Sequence, residues 1–73
     1  MNIEILVIGN EILIGKTQDT NSNWMARRIA KYGHRLNRIT TIGDNVNEIA
    51  RTLNDILKRD PDIVFVSGGL IIG

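Results

Sequence analysis

The run Ile3-Glu4-Ile5-Leu6-Val7-Ile8 is almost unbroken in its apolar character and stops at Gly9. A strand with one wet face alternates polar and apolar residues, whereas a run of this kind suits a strand covered on both faces. Parallel sheets sandwiched between helices provide such cover, and they require helix-length segments between the strands.

Two are present. The first begins near Asp19-Thr20-Asn21, whose side chains accept hydrogen bonds from the free N–H groups of an opening turn. Met25, Ile29 and Tyr32, with Ala26 and Ala30 alongside, make one apolar helical face, and Gly33 supplies the stop. The second opens at Asn45, which with Glu48 resembles a capping box with Asn in the cap position. Val46, Ile49, Ala50, Leu53, Ile56 and Leu57 give it the cleanest helical periodicity in the chain, and Pro61 ends the helical region. Arg27, Lys31, Arg51, Asp55 and Lys58 fall on solvated faces.

Between the helices, His34 to Ile42 reads as a second strand, with Leu36, Ile39 and Ile42 mixed with Arg35, Arg38 and Thr40. Its polar content suits a sheet edge, where charge discourages stray pairing. After the second helix, Ile63-Val64-Phe65-Val66 reads as a short buried strand closed by Ser67-Gly68-Gly69. The order is β-α-β-α-β, which predicts an α/β fold with a mostly parallel sheet and right-handed crossovers. A strand order of 2-1-3 puts the loops after the first and third strands at the same end of the sheet. The third strand lacks a following helix, and the chain therefore reads as part of a larger domain.

Length and composition narrow the rest. With 73 residues there is room for one domain, and the absence of cysteine removes disulfides and thiolate metal sites. A formal net charge of +1 gives no electrostatic case for nucleic acid or an anionic membrane. The basic run Arg27, Arg28, Lys31, Arg35, Arg38 has no aromatic interleaving and reads as a solvated face. No apolar stretch reaches the roughly 18 residues of a membrane span, so a soluble, cytoplasmic chain is expected.

Candidate chemistry gathers in the loops. Gly9 to Thr17 superficially resembles a P-loop, but Asn10 to Ile14 puts one residue too many before Gly15-Lys16-Thr17, and Ile12, Leu13 and Ile14 are too bulky for an anion nest. No Gly-x-Gly-x-x-Gly follows the first strand, which excludes a dinucleotide fingerprint. Glu11, just past the Gly9 turn, either faces a ligand or a divalent cation, or is a solvated partner of Lys16. Asp19, Thr20 and Asn21 cap a helix, and a capped N-terminus also directs partial positive charge at a phosphate. Ser67, Gly68 and Gly69 either end a strand or offer backbone N–H groups to an anion. Asp44 starts a turn or helix, with ligand contact as the second reading. The sole histidine, His34, has no neighbouring ligand type for a metal, and Trp24 and Tyr32 read as packing residues. No nucleophilic Ser/His/Asp or Cys/His set can be assembled.

Taken together, Gly9-x-Glu11-x-Leu13-x-Gly15, Asp19-Thr20-Asn21, Gly33, Gly43-Asp44 and Ser67-Gly68-Gly69-Leu70 resemble the N-terminal domain of the CinA (competence/damage-inducible) proteins. That domain is part of the MoaB/Mog-like molybdopterin-binding superfamily. The likeness runs over residues 1–73, as the N-terminal part of a single domain. It implies a three-layer αβα fold and a homo-oligomer that binds a nucleotide or pterin phosphate.

In the CinA branch it further implies metal-dependent pyrophosphate hydrolysis of ADP-ribose-type nucleotides. In the molybdopterin branch it implies adenylyl transfer to the pterin. The third expectation is a binding or assembly module without chemistry, with Ile12, Leu13 and Ile14 as an apolar arm. By the resemblance, Glu11 and Asp19 are the catalytic and metal-binding carboxylates, holding Mg²⁺ or a similar cation. Gly9, Thr20, Asn21, Asp44, Ser67, Gly68, Gly69 and Leu70 are the phosphate- or ligand-binding positions. The family pattern continues Gly-Gly-Leu with Gly-Pro-Thr and an acidic pair, where this chain reads Ile71-Ile72-Gly73. The resemblance therefore assigns the hydrolase to a longer parent, with this segment inactive by itself.

Overall fold

A computed structural model describes residues 1–68. The elements run β1 (Ile3–Ile8), α1 (Asn10–Leu13), α2 (Thr20–Lys31), β2 (Leu36–Ile42), α3 (Val46–Lys58) and β3 (Ile63–Gly68). The three strands form one parallel sheet in the order β2-β1-β3. The expected α/β architecture, with β1 central and β2 at an edge, is the observed one.

The first crossover runs from β1 out to β2 and the second from β2 back past β1 to β3, so right-handedness sends their helices to opposite faces. On one face α3 packs Ile49 and Ile56 onto Leu6, Ile8 and Ile42, with Leu53 and Val64 at the margin. On the other, α2 brings Met25 and Ile29 towards Phe65, and Ile29 towards Ile3 and Ile63. Every residue of β1 is buried, as its apolar run requires.

The helix ends follow local chemistry. Asp19 caps α2 by accepting from Ser22 N–H at 3.1 Å, and Asn45 caps α3 by accepting from Glu48 N–H at 3.0 Å. At the far end of α2, Gly33 N–H donates to Ala30 C=O and His34 N–H to Ile29 C=O, with Gly33 at φ 81°. This is a Schellman closure, in which glycine takes the left-handed position. It holds His34 in the helix exit, so β2 begins at Leu36 rather than at His34.

Three further expectations are corrected. The apolar faces are narrower than periodicity suggested, since Val46, Leu57, Trp24 and Tyr32 are all exposed. Trp24 and Tyr32 lie at the border of the α2 face and sandwich Arg28, whose guanidinium sits 5.2 Å and 5.7 Å from their ring centroids. β3 is not buried: Phe65 and Val66 stay exposed, because β3 pairs with β1 on one side and no described element lies along the other. The segment after β1 contains a single helical turn, α1, which was expected to be plain loop. No described helix is long and apolar enough to cross a membrane.

Candidate functional site

Gly9 continues the ladder beyond β1, donating its N–H to Ile42 C=O at 2.9 Å. It also starts α1, and the Glu11 carboxylate folds back over it. A Cβ at position 9 would meet Glu11 Oε1 at 3.0 Å, so the missing side chain makes room for the acid. The α1 turn unwinds at Gly15, at φ 81°, and the Glu11 carbonyl accepts from both Lys16 N–H (2.8 Å) and Thr17 N–H (3.0 Å). That knot holds the loop close to the rim before Asp19 starts α2.

Because β3 runs parallel to β1, its end arrives at the same rim. Val7 pairs with Ser67 and Ile8 with Gly68. A Cβ on Gly68 would run into the Ile8 carbonyl oxygen, so glycine permits this close approach. One cavity of about 320 Å³ spans the two segments. Glu11, Asp19, Thr20 and Asn21 line it from the β1 side, with Ile12, Thr17 and Gln18, while Ser67 and Gly68 line it from β3. Gly69 and Leu70, also expected here, lie outside the described residues.

Two expected positions sit elsewhere. Gly9 forms the floor of the turn behind Glu11 and is not in the cavity lining. Asp44 is engaged by Asn10, whose Nδ2 donates to Asp44 Oδ1 at 2.6 Å while Asp44 N–H donates to Asn10 Oδ1 at 3.3 Å. This reciprocal pair clips the β1 exit loop to the β2 exit loop. Gly43 permits it, since a Cβ there would collide with the Asn10 amide oxygen.

Asp19 is doubly used. Its Oδ1 accepts from Ser22 N–H and its Oδ2 from the buried Ser22 hydroxyl. An ionised carboxylate has about four acceptor sites, so spare lone pairs remain for the cavity side. Among the described residues no group of three or more His, Cys, Asp or Glu gathers as a ready-made metal cage. Glu11 and Asp19 on one cavity offer oxygen donors of the type Mg²⁺ takes when it also binds a substrate phosphate, which needs only one or two carboxylates. The residues present therefore fit a cation shared with a phosphate and do not fit an all-protein site.

Residues 4–73 match the family described as "Probable molybdopterin binding domain". The chain belongs to this family. Among solved structures it resembles the protein CinA, of unknown function, from Thermoplasma acidophilum. The TM-score is 0.84 and the identity 31%, over 96% of this chain and 42% of that one. Among curated proteins, one from Metallosphaera sedula is 51% identical over 67 residues, covering 92% of this chain and 25% of that protein. One from Thermococcus kodakarensis is 44% identical over 70 residues, covering 96% and 28%. The molybdopterin-binding-type segment seen here thus spans about a quarter of the length of the curated relatives. It is a CinA-like, MoaB/Mog-type domain fold by sequence and by structure.

One feature of this molybdopterin-binding-type segment escaped the sequence reading. Glu4, 2% exposed in the middle of the apolar β1 run, is forked by Arg59 at the end of α3, with Nη2–Oε1 at 2.7 Å and Nε–Oε2 at 3.0 Å. Hydrogen bonding to Arg59 holds the Glu4 carboxyl below its ordinary value, against the upward push of burial, with the charges of Arg59 and Arg38 adding to the fall. The available signal was the misfit itself: a carboxylate in a strand buried on both faces needs a cationic partner.

Proposed function

We propose that residues 1–73 form the N-terminal part of a single CinA-type domain whose rim cavity takes the diphosphate of a nucleotide or pterin. In a protein of the relatives' length, the proposed reaction is metal-dependent hydrolysis of an ADP-ribose-type pyrophosphate. The observation that carries this reading is the single cavity lined by Glu11, Asp19, Thr20 and Asn21 from one loop and by Ser67 and Gly68 from another strand.

In this reading Thr20 and Asn21 present hydroxyl, amide and first-turn N–H groups to phosphate oxygens. Ser67 and the side-chain-free backbone at Gly68 let the diphosphate lie close to the sheet rim. Gly69 and Leu70 enter this reading through the family resemblance alone. Glu11 and Asp19 would hold a hard divalent cation together with the phosphate. Such a cation, when bound, withdraws charge from phosphoryl oxygens and acidifies water. Ser22 fixes the Asp19 carboxylate, and Gly9 leaves space for that of Glu11, so both donors start near the rim.

The test is titration of ADP-ribose with and without Mg²⁺, read by calorimetry and by amide shifts. Mg²⁺-dependent binding that moves Ser67 and Gly68 and is lost in Glu11→Ala supports the reading. Binding that ignores Mg²⁺ and Glu11 overturns it.

A second reading follows from the family description, which names a pterin. There the same cavity serves adenylyl transfer to molybdopterin, and pyrophosphate release from ATP in the presence of the pterin favours it over hydrolysis. The third, a non-catalytic assembly module, draws on the exposure of Leu13 and Ile14, 55% and 74%. It requires a homo-oligomer that dissociates in Ile14→Asp, visible by size-exclusion chromatography.

A further inference from the structure

The opposite rim of the sheet carries a second cavity, of about 580 Å³, where β1 and β2 begin and α3 ends. Leu36 is its sole apolar lining residue; the others are Asn2, Asn37, Glu4, Arg35, Arg38 and Arg59. Three cations against one carboxylate leave a surplus of positive charge. The carboxylate is also spent, because both Glu4 oxygens accept from the Arg59 fork. Among the described residues neither Arg35 nor Arg38 forms an ion pair. Two further acids act nearby without lining the cavity: Asp62 accepts from Asn2 N–H at 2.6 Å, and Asp55 lies close enough to Arg59 to raise its pKa further.

The backbone contributes an independent observation. β1 and β2 slip register here: Ile3 faces Leu36, but Glu4 faces Arg38, and Asn37 is the residue skipped. A bulge gives up ladder pairing and re-aims side chains. Its effect at this rim is to set a second guanidinium beside a carboxylate already satisfied by the first. Asn37 is pinned in turn, its amide donating to Asn2 Oδ1. The Arg59 fork already occupies both Glu4 oxygens, so the Arg38 guanidinium keeps its hydrogen-bond donors free of that carboxylate.

We propose that this rim cavity is an anion site for a phosphate group, either free or carried as a phosphate monoester. Planar guanidinium forks match tetrahedral oxyanions in pairs, and a doubly charged ligand balances the surplus. The site is separate from the Glu11–Gly68 cavity, at the other end of the same strands.

The experiment is a phosphate titration of the isotope-labelled chain at neutral pH without divalent cations, against sodium chloride at matched ionic strength. Saturable shifts at Asn2, Asn37 and Arg38 are expected, with a Kd of about 1 mM, and absent with chloride. Arg38→Gln weakens binding about tenfold; Arg35→Gln, which leaves the Glu4–Arg59 pair untouched, weakens it about threefold. Tighter binding of AMP than of phosphate at the same amides identifies an ester ligand, and the reverse identifies the free ion. Equal shifts with chloride, no effect of Arg35→Gln, or shifts confined to Ser67 and Gly68 overturn the proposal. The last outcome leaves the other cavity's function standing, whereas failure of Mg²⁺-dependent ADP-ribose binding leaves this site untouched.

Discussion

The two faces of the sheet are built to different standards. Under α3, Leu6, Ile8, Ile42, Ile49 and Ile56 are all buried in one cluster, and the Glu4–Arg59 pair closes its lower end. Under α2, no apolar side chain of the helix is fully buried; Ser22 is its one buried residue. Met25 and Ile29 are half-covered, and Trp24, Tyr32 and Phe65 are exposed. The α3 face holds the fold, while the α2 face mainly carries the loop that reaches the candidate site. Binding loops are drawn from the less stable parts of a structure, because they must move to admit a ligand.

Truncation measures that contrast most directly. Ile56→Ala removes a side chain with 0% exposure and is expected to cost about 3 kcal/mol in urea denaturation. Phe65→Ala, at 38% exposure, is expected to cost about 1 kcal/mol, since its lining already touches water. Equal losses would mean that the two faces share the work.

The ion pair gives the next effect. Arg59→Met leaves the buried Glu4 carboxylate without its fork, and the denaturation midpoint should fall further than for Arg51→Met on the exposed side of α3. pH supplies the same test without a mutation. The folded-state pKa of Glu4 lies below its ordinary value of 4.5, so its contribution is complete above that value. It is lost as pH falls through the lower folded-state value. Glu4→Gln should flatten this acid limb, and an unchanged limb would assign acid sensitivity to other carboxylates.

That pair also marks where sequence reasoning stopped. The central strand, both long helices and the order 2-1-3 were legible because periodicity and capping are local signals. The meeting of the Glu11 and Ser67 segments was legible too, since parallel strands with that order bring their ends to one rim. By contrast, Glu4 and Arg59 are 55 residues apart, and nothing local announces the partner. The apolar run Ile63–Val66 states what β3 can pack against; whether a neighbour covers it is a property of the surroundings. Likewise, the acid at Asp44 was readable as a loop carboxylate, but its engagement by Asn10 required two loops to be placed in space.

The Asn10–Asp44 clip ranks third. Asn10→Ala removes both of its hydrogen bonds at an exposed position, with an expected loss of about 1 kcal/mol. It should also loosen the α1 turn, so amide exchange at Leu13 and Ile14 should speed up more than at Ile49. Uniform acceleration would show that the clip supports the whole sheet and not the loop.

The smallest stability change answers the sharpest question, whether Asp19 serves the helix or the cavity. Both oxygens already accept from Ser22, so a capping role alone explains the residue. Asp19→Ala removes cap and charge together and should cost about 1 kcal/mol. Asp19→Asn keeps an oxygen for Ser22 N–H, and Asn caps about as well as Asp, so its Tm should hardly move. It also removes the negative charge that a hard cation requires. If the cavity works with Mg²⁺ as proposed, Asp19→Asn therefore loses Mg²⁺-dependent ADP-ribose binding by about tenfold or more while its melting curve overlays that of the parent. If binding survives in Asp19→Asn and falls only in Asp19→Ala, in step with Tm, the carboxylate is a helix cap and the cation belongs to Glu11 and residues elsewhere.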